Sequence, residues 1–331
     1  MALKTKMSGS ELIINRSTGA LYHINVSRKD GFPPRFLLVG DPERIREVAK
    51  LFDDGIYAEK TNREFVSVWG RYKGVPIGVM GTGIGTDNTE IALVELHAVQ
   101  DYLFESDTWK QGEPLTLVRV GTSGSPQRDI TLGTLAITEH AIGLDNTGLF
   151  YLHKPISEYT NLEEIFYTPN NDTARKIWEQ LRDILPVNTH TIIRPYITTA
   201  TPAVVEALVH SARSIGAPFE KGLTTTASGF FGPQGRAIGK LGTILIPDLQ
   251  ERLSELSIKR DSGLDHMRAI NNEMETSLLL RVAAEILECR AGAICAVIAN
   301  RKEGEFITPQ EYERSVNSAI KIGLETLHAL A

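Results

Sequence analysis

Only two cysteines, Cys289 and Cys295, stand among 331 residues. That is too few for a disulfide framework or a cysteine-built metal site, and it fits a reducing compartment. No apolar run reaches the ~18–20 residues that a membrane span needs. The N-terminal MALKTKMSGSELIINRS lacks the apolar core of a secretory signal, so a cytoplasmic protein is expected. Positive charge is not in excess: 35 Lys and Arg against 41 Asp and Glu give a net charge of −6. Such a balance argues against a nucleic-acid partner and against a basic membrane-binding face. Any anion site must be local, built from a few aimed arginines. Low-complexity linkers and internal repeats are missing too, so one domain over residues 1–331 is expected.

What is present is an alternation of apolar runs, glycine turns and amphipathic stretches. Phe36-Leu37-Leu38-Val39 reads as a buried strand that ends at Gly40-Asp41-Pro42, an Asp cap with Pro in the first helical position. The helix ERIREVAKLF follows. Val75 to Met80 is a second strand, running into Gly81-Thr82-Gly83-Ile84-Gly85 and a helix from about Asn88. Leu115 to Val120 is a third strand with a turn at Gly121-Thr122-Ser123-Gly124, and Leu135 to Thr138 is a fourth. Met274, Leu278 and Val282 recur at helical spacing, which predicts a helix over Asn272–Leu287 feeding a late strand, Ala293 to Ile298. The repeat of strand, glycine turn and helix predicts an α/β sheet with its ligands at the carboxyl ends of the strands. The stretch from Asn146 to His190 is less regular and carries its own helix near Thr173–Leu185.

Several constellations bear on chemistry. The turn GTGIGT at Gly81–Thr86 approaches a dinucleotide fingerprint, but Thr86 replaces the third glycine and no ribose-binding acid is well placed beyond it. More telling are arginines beside glycine turns: Arg44 after Gly40, Arg119 before Gly121-Thr122, and Arg63 in Thr-Asn-Arg-Glu. A helix start with an arginine nearby favours phosphate, although a single surface arginine is usually only solvated. Thr224 to Arg236 pairs Phe230 and Phe231 with Gln234 and Arg236. An aromatic can stack a base, and an amide with a guanidinium offers donors and an acceptor to an imide edge; a packed Phe pair in a loop is the plainer alternative. Glu273 and Glu275 read as acids complementing a helix start, or Glu275 as an acceptor for two vicinal sugar hydroxyls. His23 is a lone histidine, by default a surface or core group.

In order along the chain, VGDPERI, TNREF, GTGIG, VRVGTSGS, FFGPQGR, NEMETS and VIANR resemble the nucleoside phosphorylase family, and FFGPQGR and VIANR draw the resemblance toward its uridine phosphorylase type. Purine-specific relatives carry an acid where Asn300-Arg301 stands here. The resemblance implies a single α/β domain with a central twisted mixed sheet, partly barrel-like and flanked by helices, in which residues 146–190 form an insertion. It implies reversible phosphorolysis of uridine, with deoxyuridine or thymidine as further substrates, and no cofactor beyond inorganic phosphate as co-substrate. Phosphate would be held by Gly40, Arg44, Arg119 and Thr122, with Arg63 arriving from a partner subunit. Ribose would meet Ser123, Glu273, Met274 and Glu275, and His23 of a partner subunit at its 5′-hydroxyl. Uracil would lie on Phe230, read by Gln234 and Arg236, against a wall of Ile298 and Ala299. Arg236, Gln234 and Glu275 would carry the catalysis. An interface cation would sit at Glu64, the Ile84 carbonyl and Asn88, where Thr86-Asp87-Asn88 replaces the family's Gly-Pro-Ser. The insertion favours a homodimer with shared sites over the hexamer of bacterial members. The rivals are a purine phosphorylase or a nucleosidase of the same family, a non-catalytic nucleoside-binding protein, and a Rossmann oxidoreductase.

Overall fold

The fold is seen in a computed structural model that describes residues 7–110, 112–260 and 266–331. The first six residues of the N-terminal segment discussed above lie outside the described part. The chain begins with β1 (Arg35–Val39), α1 (Pro42–Ala49), a meander of β2 (Ile56–Asn62), β3 (Phe65–Tyr72) and β4 (Val75–Gly81), α2 (Thr86–Asp101), and a small hairpin of β5 (Tyr102–Leu103) and β6 (Thr108–Trp109). The middle holds β7 (Thr116–Ser125), β8 (Leu135–Gly143), α3 (Asp172–Ile184), α4 (Thr189–Ile193), β9 (Tyr196–Thr199) and α5 (Pro202–Ile215). The remainder is β10 (Phe219–Thr226), α6 (Leu249–Glu255), β11 (Ser257–Lys259), β12 (His266–Glu273), α7 (Thr276–Leu279) running into a π-helical turn over Leu280–Ile286, β13 (Arg290–Asn300), β14 (Glu305–Phe306) and α8 (Pro309–Ala329).

β1 shows why the architecture forms. It pairs in parallel with β4 on one side and β7 on the other, and all five of its residues are buried. A strand covered on both faces feeds two cores with alternate side chains. Phe36 and Leu38 belong to a cluster with Trp69, Met80 and Leu93 of β3, β4 and α2. Leu37 and Val39 belong to the opposite one, with Val118, Val120, Ile320 and Leu324 of β7 and α8. At its end Asp41 accepts from the Glu43 amide at 2.9 Å and Pro42 opens α1, as the sequence signals.

Twelve strands form one mixed sheet, ordered β11-β12-β10-β8-β13-β7-β1-β4-β3-β2, with β9 on β8 and β14 on β13. One further contact, Asn272 with Gly124, joins β12 to β7 antiparallel. It turns β12, β10, β8, β13 and β7 into a ring, so the expected α/β domain with a partly barrel-like mixed sheet is found; a single residue pair, rather than a full ladder, makes the closure.

Two local expectations are corrected. Gly121 to Gly124 is not a turn but the last part of β7, because β13 continues to pair with it through Cys295, Ala296 and Val297. Asn272-Glu273 does not open a helix. Both residues end β12, which is paired along β10, and the helix starts only at Thr276. Its first amide is bonded by the Glu273 carboxylate at 2.9 Å, so one of the two acids does serve the helix start, from the strand that precedes it.

The 146–190 stretch contains the expected helix as α3, capped by Asn171, whose side chain accepts from the Ala174 amide at 2.9 Å. Ala174, Ile177, Trp178 and Leu181 form its buried stripe and share a cluster with Ile142, Leu223, Leu253 and Met267 of the sheet and α6. Each fully buried residue of Leu size contributes ~1.5–3 kcal/mol, so α3 belongs to the folded core. Among the described residues no helix is long and apolar enough to cross a membrane.

Candidate active site

β7 and β12 run toward each other and meet near their carboxyl ends at Gly124 and Asn272. This brings Arg119 against two acids spaced two residues apart in the chain. The Arg119 guanidinium donates from Nε to Glu273 Oε2 at 3.3 Å and from Nη2 to Glu275 Oε2. All three side chains are at least nine-tenths buried. Glu273 is held from several sides: it also accepts from the Thr226 hydroxyl at 2.6 Å and from the amides of Glu275 and Thr276 at 3.0 and 2.9 Å. Glu275 has a second anchor in the Gly85 amide, 2.7 Å away at the start of α2. Burial opposes the charge on Arg119, but Glu275 and Glu273 outweigh it and raise its pKa further. Burial pushes the Glu275 carboxyl up to about 7, with Arg119 pulling it down and Glu273 pushing it up.

This triad lies on the wall of a cavity of about 940 Å³, lined also by Gly40, Arg44 and Thr122 and by Phe230, Gln234 and Arg236. Arg44 reaches from α1 across the end of β7. Its Nη1 donates to the Val120 carbonyl at 3.5 Å, and its Nη2 to the Thr122 hydroxyl at 3.4 Å and the Tyr312 hydroxyl at 3.3 Å. Gln234 is 3% exposed and is fixed through its backbone: its amide donates to Phe231, and its carbonyl accepts from Gln250 Nε2 at 2.9 Å. The Arg236 guanidinium stands 4.2 Å from the Phe230 ring centre and donates to the Phe230 carbonyl at 3.2 Å.

Five side chains on the wall carry a buried polar atom with no hydrogen-bond partner: Arg44 Nε, Ser123 Oγ, Gln234 Oε1, Asn272 Oδ1 and Arg301 Nε. Each such group costs ~1–3 kcal/mol when left unmade. All five belong to side chains that line this cavity, which accords with a binding site for a polar ligand and supplies both cationic donors and acceptors.

The predicted phosphate residues Gly40, Arg44, Arg119 and Thr122, the sugar residues Ser123, Glu273, Met274 and Glu275, and the base residues Phe230, Gln234, Arg236, Ile298 and Ala299 all line this cavity. His23 and Arg63 do not. They sit together elsewhere on the surface of the same chain, His23 Nδ1 at 2.6 Å from Glu95 and Arg63 Nη2 at 2.6 Å from the Tyr22 hydroxyl. Of the residues expected to hold a cation, Ile84 is exposed at the cavity edge. Glu64 leaves the sheet in the β2–β3 turn and Asn88 stands in the first turn of α2. Val66 pairs with Gly81, which places that turn and the loop after β4 at the same end of the sheet.

Sequence reasoning missed Arg301. It follows β13, and its Nε lies 2.5 Å from where a Cβ on Gly124 would be, so a larger residue there would push the Arg301 side chain from this position. Its guanidinium is 5.8 Å from the Phe230 ring centre. Burial, and then the charge of Arg236, lower its pKa. Among the described residues neither Arg236 nor Arg301 forms an ion pair with a carboxylate. VIANR did carry an arginine just after a buried strand, but without the glycine turn read beside Arg119. Phe306, opposite Ala299 on β14, is a further wall residue not assigned to the site from the sequence, as are Asp41, Pro42, Gly124 and Asn272.

Residues 34–330 match the family model described as the Phosphorylase superfamily. The chain belongs to the phosphorylase superfamily. It is 30% identical over 307 residues to the uridine phosphorylase of Thermococcus kodakarensis, covering 92% of this chain and 87% of that one. To the uridine phosphorylase of Klebsiella aerogenes it is 25% identical over 315 residues, 95% of this chain and 99% of the other. Among solved structures it resembles a nucleoside phosphorylase of Trypanosoma brucei described as showing uridine phosphorylase activity, with a TM-score of 0.85 and 28% identity over 96% of this chain and 99% of that one. For this member of the phosphorylase superfamily, then, the cavity on β7 and β12 stands in a fold shared over nearly its whole length with enzymes of nucleoside cleavage.

The raised Glu275 carboxyl makes a prediction. Its folded pKa of about 7 exceeds the ordinary 4.5, so between those values the folded state holds a proton more tightly than the unfolded chain. This group's contribution to the stability of the ligand-free protein therefore falls as pH rises through that window. Denaturant midpoints of wild type and Glu275→Gln between about pH 5 and pH 7 should show the slope in the first and a reduced slope in the second. Equal slopes would mean that Glu275 is ionised throughout.

Proposed function

We propose that the protein is a uridine phosphorylase, acting in pyrimidine salvage by reversible phosphorolysis of uridine to uracil and ribose 1-phosphate. The observation that carries this reading is the set of groups that share one cavity: an arginine pair with a hydroxyl, a carboxylate with Met274, and an aromatic face with an amide and two guanidinium groups. The names of the similar proteins support the same activity.

The chemistry follows from where charge must go. A phosphate oxygen attacks C1′ of the ribose as the bond to uracil N1 breaks. The electron pair leaves on the uracil ring, which then takes a proton from water. Arg44 and Arg119 hold the anionic nucleophile with forked donors that match phosphate oxygens, beside Thr122 and the open backbone at Gly40. Phosphate at Arg119 competes with Glu275 for the same guanidinium, and a Glu275 released from it accepts the ribose hydroxyls. The sugar is then fixed for in-line attack, between Ser123 and Met274, and Glu273 supports the arrangement from behind. At the far end the unpaired Gln234 oxygen accepts from the uracil imide while the Gln234 amide and Arg236 donate to its oxygens. As negative charge grows there, preorganised donors stabilise it, and Arg301, beside Arg236 with no carboxylate to neutralise it, adds to the same field. Phe230, Ile298 and Ala299 supply the apolar walls for the ring.

On the same reading His23 and Arg63 serve the site of a partner subunit, His23 at the 5′-hydroxyl and Arg63 at the phosphate. Their position outside their own chain's cavity, clustered with Tyr22 and Glu95, supports this. The assembly proposed is a homodimer with shared sites, with Glu64, Ile84 and Asn88 at the interface as the place for a structural cation. No cofactor is required. A cytoplasmic location is part of the proposal and accords with Cys289 and Cys295, both buried and unpaired.

The decisive experiment is chromatography of uridine, thymidine and inosine, each incubated with the protein with and without phosphate. Uracil released only with phosphate, and inosine left intact, is the expected result. Release without phosphate makes the protein a nucleosidase; cleavage of inosine removes Gln234 and Arg236 as readers of uracil; no turnover leaves a nucleoside-binding protein. Arg236→Ala should lower uridine turnover ~100-fold or more, and near-normal rates would end its assignment to the leaving group. Arg63→Ala and His23→Ala proteins, each inactive alone, should regain part of the activity when co-assembled; verified mixed oligomers that stay inactive would show that the sites are not shared.

A further inference from the structure

We propose that Tyr312, on the first turn of α8, is a positioning residue for phosphate: its hydroxyl aims Arg44 without neutralising it. The inference rests on the phosphorolysis reading.

Arg119 and Arg44 are held in opposite ways. Arg119 is fixed by two carboxylates, which also cancel its charge until phosphate arrives. Among the described residues Arg44 has no carboxylate partner, only the Val120 carbonyl at 3.5 Å and the hydroxyls of Thr122 and Tyr312 at 3.4 and 3.3 Å. These lengths are at the far end of the hydrogen-bond range, and the Tyr312 contact is the shortest of the three. Thr122 faces the cavity and is assigned to phosphate, and a hydroxyl turned to phosphate no longer steadies Arg44. Tyr312 does not line the cavity and keeps its grip on Nη2 when phosphate is bound. A phenol suits the task because a carboxylate in its place would compete with the anion.

The chain holds Tyr312 firmly. Thr308 and Glu311 form a reciprocal cap at the start of α8, with Pro309 in the first helical position. The Tyr312 amide donates to the Thr308 carbonyl at 2.8 Å, and its ring packs on the buried cluster that contains Leu37 and Val120. The Ile307 amide donates to Ile298, on the base wall, at 2.9 Å.

The test is Tyr312→Phe, which keeps the ring and its packing. Calorimetric titration with inorganic phosphate, in the absence of nucleoside, should give a Kd roughly five- to tenfold higher than wild type, the loss of one hydrogen bond of ordinary strength. The KM for phosphate should rise by the same factor, with kcat and the KM for uridine at saturating phosphate within about twofold of wild type. An unchanged phosphate Kd, in a wild type that binds phosphate, overturns the role of Tyr312 alone. A variant whose kcat and uridine KM change while phosphate binding does not also overturns it, since that marks a packing effect. A wild type that binds no phosphate overturns the phosphorolysis reading and the proposal together.

Discussion

The Arg119 triad is the constraint on which the site depends. A guanidinium buried to this degree is tolerated only with partners, since an isolated ion in the interior is strongly disfavoured. Its two partners come from the end of a different strand, and so the charge requirement fixes how β7 and β12 meet. The single pair between Asn272 and Gly124 closes the ring of strands at the level of this ion cluster. With two acids on one guanidinium, the loss of one still leaves an ion pair, so a phosphate can take the place of one of them. Structural support and ligand exchange therefore use the same few atoms.

A second arrangement grows from the first. Glu273 is saturated by protein donors and Glu275 is not: one carboxylate faces back into the fold, the other toward the cavity. Their spacing of two residues puts both on Arg119 because the chain is extended through Glu273 and turns into α7 only at Thr276. Had the segment been helical from Asn272, residues two apart would have pointed to different faces, and the two acids would not share one guanidinium.

Much of this was legible in the sequence, for local reasons. Asp41-Pro42 announced the start of α1, and the apolar run Phe36–Val39 announced a strand buried on both faces. The arginines beside glycine turns pointed to an anion site, and Phe230 with Gln234 and Arg236 pointed to a planar ligand. What was not legible depends on partners distant in sequence. Gly121 to Gly124 looks like a turn until β13 is placed beside it. Asn272-Glu273 looks like a helix start because acids favour that position, and Met274, Leu278 and Val282 happen to keep helical spacing; pairing with β10 overrides both. Arg301 escaped because the room it occupies is made by the missing side chain of Gly124, on another strand. Tyr312 escaped because an aromatic on a helix is ordinarily core.

The way α3 sits on the sheet bears on how such a chain can be shortened. A segment that varies between relatives is often treated as a cassette, to be cut out without harm to the remainder. Here Ile177, Trp178 and Leu181 cover Leu223, Leu253 and Met267, residues on or beside the strands β10 and β12 that carry the site. Excision would turn this interior into a continuous oily surface, and surfaces of that kind drive self-association. A minimal version of the protein must therefore repaint the exposed sheet with polar side chains as well as join the cut ends.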